Sequence, residues 1–86
     1  MTTDTLKKIS IQYFAVLREQ RGCSEDILET SASTPALLYQ HLQAQHAALV
    51  FPASLLRVSV NNKFCDWNTP LNSGETVVFI HPVAGG

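Results

Sequence analysis

Charge is scarce in this 86-residue chain: 15% of its residues are Asp, Glu, Lys or Arg, against 45% hydrophobic. A domain this small buries only roughly 60–65% of the surface its unfolded chain exposes. With so few charges to cover the remainder, an apolar patch is expected to stay on the surface, and such patches mark partners. Six Lys and Arg stand against seven Asp and Glu, a net charge of −1, with no basic run. Nucleic-acid binding therefore has no electrostatic footprint. No stretch approaches the about 18 consecutive apolar residues of a membrane span. The opening Met1-Thr2-Thr3-Asp4-Thr5 lacks the basic and apolar regions of a secretion signal, so a cytoplasmic location is the expectation. Cysteine is limited to Cys23 and Cys65, with no Cys-x-x-Cys pair, and His41, His46 and His81 are scattered. A metal site is not expected, and the thiols read as free and partly buried.

Glycine is also sparse, and two of the four, Gly85 and Gly86, close the sequence after an apolar strand and the segment His81-Pro82-Val83-Ala84. Glycine costs the most backbone entropy to order and has no side chain to pack. It does offer a carboxylate on a slim stalk that fits a tunnel where a Cβ would collide. Two readings stand side by side: a frayed end, or a reactive carboxylate at Gly86.

Between Lys8 and Ala15, Ile9, Ile11 and Tyr13 alternate with Ser10, Gln12 and Phe14, the period of a half-buried strand. Polar Arg18-Glu19-Gln20-Arg21-Gly22 predicts a turn, and Asp26–Thr30 a weak second strand returning as a hairpin. Thr34-Pro35 predicts a helix start, with Thr34 capping and Pro35 at the first helical position. Leu38, Leu42, Gln45 and Leu49 follow at helical spacing, with Leu37 widening the stripe. Leu56, Val58 and Val60 predict a third strand, Asn61-Asn62 a turn, Lys63-Phe64-Cys65 a short strand, and Thr76–Ile80 the last. The expectation is an α+β fold in one domain over residues 1–86, with about five strands, one main helix, and 81–86 as a flexible tail.

One helix covers one face of a sheet. If Ile9, Ile11, Tyr13, Leu56, Val58, Val60, Val77 and Phe79 face it, the other face carries Phe14, Val78, Ile80 and Phe64. A solvated face is normally polar. The expectation is therefore a partner interface, the alternative being a tolerated scatter of surface apolar residues. Arg18 either salt-bridges that partner or packs its stem locally with its head in water.

Tyr13-Phe14-Ala15-x-x-Arg18-Glu19-x-x-Gly22 resembles the opening of MoaD-like proteins, the small subunits of molybdopterin synthase. Val60-Asn61 with Pro70-Leu71-x-x-Gly74-Glu75-x-Val77, and the ending Pro82-Val83-x-Gly85-Gly86, resemble that family's middle and tail. The resemblance runs from about Ile9 to Gly86. It implies a β-grasp (ubiquitin-like) fold, which agrees with the element order, and a sulfur-carrier role. By the same resemblance, a MoeB-like enzyme uses ATP to adenylate the Gly86 carboxylate, and a sulfur donor protein supplies the sulfur that makes it a thiocarboxylate. The tail, His81, Pro82, Val83, Ala84 and Gly85, then enters the active site of a MoaE-like large subunit. Sulfur passes there to precursor Z, and the whole forms a heterotetramer. No cofactor is bound by the small subunit itself. The sequence departs from the family at His81, where Pro-Pro is usual, and at Ala84, where Ser or Thr is common. Ala-Gly-Gly also ends the thiamine sulfur carriers, called ThiS, which are generally shorter and lack the Phe-Ala-x-x-Arg-Glu opening. A thiamine or tRNA-thiolation carrier, or an inert β-grasp interaction module, are the alternative readings.

A carboxylate is a poor electrophile because its leaving group would be oxide, and adenylation cures that. No residue of this chain then needs to act as acid, base or nucleophile. His41 and His46 have no paired acid nearby in sequence, and Glu19, Asp66 and Glu75 read as turn and surface carboxylates. Pro82 keeps the stalk extended by fixing φ, and Val83 offers an apolar anchor.

Overall fold

The structure, a computed structural model, describes residues 6–81. Five strands form one sheet: β1 (Lys7–Tyr13), β2 (Glu25–Thr30), β3 (Arg57–Val60), β4 (Lys63–Cys65) and β5 (Thr76–Ile80). Their spatial order is β2-β1-β5-β3-β4. β1 runs parallel to the central β5, and every other pairing is antiparallel. Helix α1 (Ala15–Arg21) links β1 to β2, and α2 (Pro35–Gln45) covers one face. This is the mixed β-grasp sheet expected from the sequence, with one main helix and a second, shorter one.

The sheet forms because alternation along β1, β3 and β5 sorts side chains to two faces. Ile9, Ile11, Tyr13, Leu56, Val58, Val77 and Phe79 are buried with Leu38, Tyr39 and Leu42 of α2, while Val60 is half-buried against them. Three aromatic rings tie helix to sheet. Tyr39 lies 4.9 Å from Phe79, and Trp67 stacks on Phe79 at 5.7 Å. Such pairs contribute about 0.5–1.5 kcal/mol beyond their buried area.

Helix α2 starts as its sequence dictates. The Thr34 hydroxyl accepts the Leu37 N–H at 3.3 Å, and Pro35 takes the first position, where a missing N–H costs nothing. The predicted stripe is corrected at its margin: Leu37 is 40% exposed and Gln45 is exposed, while Tyr39 and Pro35 are buried. Leu49 is buried but lies past the helix end. At the β3–β4 turn, Asn61 and Asn62 both adopt positive φ, 50° and 71°, as a two-residue type I′ connection requires. Asn61 also accepts the Thr76 N–H at 3.0 Å, tying the turn to the start of β5.

The segment after β1 differs from expectation. Arg18–Gly22 is not a turn: Arg18–Arg21 lie in α1, and Gly22 caps it at φ 85°, its N–H donating to the Arg18 carbonyl at 2.8 Å. β1 ends at Tyr13, so Ala15 belongs to the helix. The helix is short, and Leu17 is its one buried residue, so no apolar period announces it. It is entered through Ala15 at φ 52°, a left-handed conformation unusual for a residue with a Cβ. Ala15→Val is expected to cost about 2 kcal/mol, because a β-branched side chain worsens that strain. An unchanged denaturation midpoint would show that Ala15 is not left-handed.

The ends of α1 and β2 are joined by one polar cluster. Arg21 donates to Asp26 from Nε at 2.7 Å and from its terminal nitrogen at 2.9 Å, and the Tyr13 hydroxyl donates to Asp26 at 2.9 Å. Burial pushes the Asp26 carboxyl upward in pKa, but the hydrogen bonds from Arg21 and Tyr13 outweigh it and hold the group below its usual value. Burial, reinforced by the Asp26 hydrogen bond and charge, pushes the Tyr13 phenol well above its usual value. Asp26→Asn is expected to cost about 1–2 kcal/mol at neutral pH. Because the folded pKa lies below the unfolded one, the Asp26 contribution is full above about pH 4 and is lost as pH falls through the folded value. Unfolding of wild type and Asp26→Asn at several pH values tests this: the gap should be constant from about pH 5 to 8 and close below about pH 4. A gap that does not change with acid contradicts it.

Candidate functional site

The face of the sheet turned away from α2 gathers most of the predicted interface residues. Pairing sets Gln12 beside Val78, Val78 beside Ser59, and Ser59 beside Phe64, one row across four strands. The next row holds Ile80 and Arg57, with Phe14 following Tyr13, the partner of Phe79. Gln12, Phe14, Ser59, Asn62, Phe64, Val78 and Ile80 line a shallow hollow of about 270 Å³. Phe14 is 51% and Phe64 67% exposed, while Ile80 is half-buried and Val78 buried at the floor. Large, rigid rings standing exposed around an apolar floor give a surface that gains by being covered.

Arg18 sits beside this hollow, not in it. It lines a second depression of about 240 Å³ with Gln12, Tyr13, Phe14, Ser24 and Glu25. The two depressions share Gln12 and Phe14, so Arg18 borders the apolar face across the Phe14 ring. Sequence reasoning missed Arg57, an exposed cation in register with Ile80. Strand alternation held the signal, since Arg57 and Ser59 share the face opposite Val58. A larger hollow of about 400 Å³ lies beside α2, lined by residues including Tyr39, Gln43 and Trp67, away from these rows.

The outer face reaches the C-terminal end of β5. β5 is flanked by β1 and β3, and Phe79 and Ile80 are paired with Tyr13, Val58 and Arg57. The residue that follows, His81, is held at a central strand. Its ring meets Phe51 edge-on, with centroids 4.8 Å apart. Pro82, Val83, Ala84, Gly85 and Gly86, with the expectation that they form a flexible stalk, lie outside the described residues.

His41 is half-buried and shares a 2.8 Å hydrogen bond with Thr30, whose oxygen also accepts the Ala32 N–H. Cys23 and Cys65 are free and half-buried. Among the described residues no three His, Cys, Asp or Glu side chains group to hold a metal ion, and no helix is long and apolar enough to cross a membrane.

The profile of the ThiS family matches residues 11–86. The chain belongs to the ThiS family. Within it the sequence is 35% identical, over 82 residues, to the molybdopterin synthase sulfur carrier subunit of Escherichia coli (strain K12), covering 91% of this chain and 99% of that one. This makes the protein a MoaD-like, ubiquitin-like sulfur carrier of the MoaD/ThiS type. Solved structures share the fold. The putative molybdopterin converting factor subunit 1 from Pyrococcus furiosus superposes with a TM-score of 0.76 at 21% identity, covering 90% of this chain and 99% of that one. A chain of the complex of subunits 1 and 2 of molybdopterin-converting factor from Helicobacter pylori 26695 superposes with a TM-score of 0.66 at 20% identity, covering 92% and 99%.

Proposed function

We propose that this ThiS-family member is the sulfur-carrying small subunit for molybdenum cofactor biosynthesis. The observation that carries the reading is the 35% identity, over almost the full length of both chains, to a molybdopterin synthase sulfur carrier subunit. The Gly86 carboxylate attacks the α-phosphate of ATP on a MoeB-like adenylyltransferase, and pyrophosphate leaves. A persulfide on a donor protein then attacks the acyl carbon and displaces AMP, and a thiol reductant cleaves the S–S bond of the resulting acyl disulfide to leave a thiocarboxylate. ATP belongs to the activating enzyme, and the carrier needs no cofactor of its own. The charged carrier docks its outer sheet face, through Phe14, Phe64, Val78 and Ile80 with Arg18 at the rim, on a MoaE-like large subunit. Two carriers on a dimer of that subunit make a heterotetramer, working in the cytoplasm.

The tail, Pro82, Val83, Ala84 and Gly85 with His81 at its root, delivers the sulfur into the large subunit's active site. There it passes to precursor Z, and water returns the acyl carbon to a carboxylate. The apolar hollow between Phe14 and Phe64 supports the docking step, and the match of the family profile through residue 86 supports the role of the tail. Mixing the thiocarboxylated chain with a MoaE-like subunit and precursor Z tests the pathway. Molybdopterin should form in proportion to carrier consumed. Sulfur delivery to a thiamine-forming enzyme, with none to precursor Z, would overturn the assignment in favour of a thiamine carrier.

A further inference from the structure

Phe51 lies in the irregular segment between α2 and β3, yet its backbone is held from both sides. Its N–H and that of Val50 donate to Gln20 Oε1 at 3.1 and 3.0 Å. Its carbonyl accepts the Tyr39 hydroxyl at 2.7 Å and the Gln43 side-chain amide at 3.3 Å. Burial pushes the Tyr39 phenol up to about 12, so it remains a donor through the physiological range. Loop backbone usually satisfies itself with water; here three side chains from two helices fix a single residue. Core packing alone does not explain this, because the Phe51 side chain is only half-buried. Its ring meets His81, an exposed residue directly before Pro82.

We infer that Phe51 is a positioning residue for the end of β5: held by Gln20, Tyr39 and Gln43, its ring fixes the side chain of His81, the residue directly before Pro82. The inference rests on the sulfur-carrier reading. Two constraints meet at His81. A residue before proline is restricted to extended backbone, and the proline fixes its own φ. Phe51 supplies the third element, a wall for the His81 side chain. With its side chain already held there, His81 has less freedom to give up when an enzyme grips the chain around it. That advantage is the same in the bound ground state and in the transition state, so it belongs in KM and not in kcat.

The test is steady-state adenylation of the full chain by a MoeB-like enzyme with ATP. The variants are Phe51→Leu, which keeps apolar bulk, His81→Ala, the double variant, and Phe51→Trp, which restores a ring. Either single change should raise KM about five- to tenfold with kcat within about twofold, and the double should be no worse than one single. Phe51→Trp should return KM close to wild type. Unchanged KM in both singles, or losses that multiply in the double, overturn the positioning role. So does a loss in Phe51→Leu that follows its melting temperature and is not reproduced by His81→Ala. A wild-type chain that is not adenylated overturns the carrier reading and the positioning role with it. The ring-current shift of the His81 protons, compared by NMR between wild type and Phe51→Leu, reports the contact itself in every case.

Discussion

Deletion of Gly86 will abolish sulfur transfer and leave the fold unchanged. Among the described residues the buried core runs from Ile9 to Phe79, and a glycine has no side chain to pack into a core. The proposed reacting carbon is the Gly86 carbonyl. Removing one residue draws it back by about 3.3–3.6 Å, while attack requires reacting atoms held about 3–3.5 Å apart in the right line. The truncated chain should melt with wild type and form no molybdopterin in a reconstituted assay. Activity comparable with wild type would place the reactive group elsewhere.

Charge on the outer face will separate binding from stability. Phe14→Glu and Phe64→Glu alter rings that are 51% and 67% exposed, so the isolated fold should lose at most about 0.5 kcal/mol. At a docked interface the same rings would be covered, and truncating such anchors commonly costs about 2 kcal/mol or more, roughly thirtyfold in Kd. Calorimetric affinity for a MoaE-like subunit, measured beside thermal unfolding, distinguishes the two. Unchanged affinity with a large fall in melting temperature would mean that these rings serve the fold. Ile80 and Val78 give a less clean experiment, since both are at least half-buried in the free chain.

What the sequence made legible was whatever local chemistry decides. Thr34-Pro35 starts a helix wherever it stands before an apolar run, and Asn61-Asn62 accepts two positive φ angles at small cost, so both lie where expected. Strict alternation in β1 and β5 sorts Phe14, Val78 and Ile80 from Ile11, Val77 and Phe79, and the outer face follows from that alternation alone. Helix α1 is hidden because it is seven residues long, buries Leu17 alone, and begins at an alanine in a conformation that alanine disfavours. Tertiary contact, not propensity, holds it: Gln20 reaches 30 residues along the chain to Val50. The exposure of Leu37 has a similar origin. Helical spacing locates a stripe but not its edges, and the bulky Tyr39 takes the inner position against Phe79. Phe51 carries no sequence signal, since its role comes from three side chains that meet only in the folded chain.

The carrier reading stands or falls on what becomes of the Gly86 carboxylate. The full chain is incubated with a MoeB-like enzyme, ATP, a sulfur donor protein and a thiol reductant, and its intact mass is then measured. The account predicts a gain equal to the difference between one sulfur and one oxygen, localised by fragmentation to Gly86 and absent when ATP is withheld. An unchanged mass under conditions that charge the Escherichia coli carrier, or a sulfur found on Cys23 or Cys65 and not on Gly86, would contradict it.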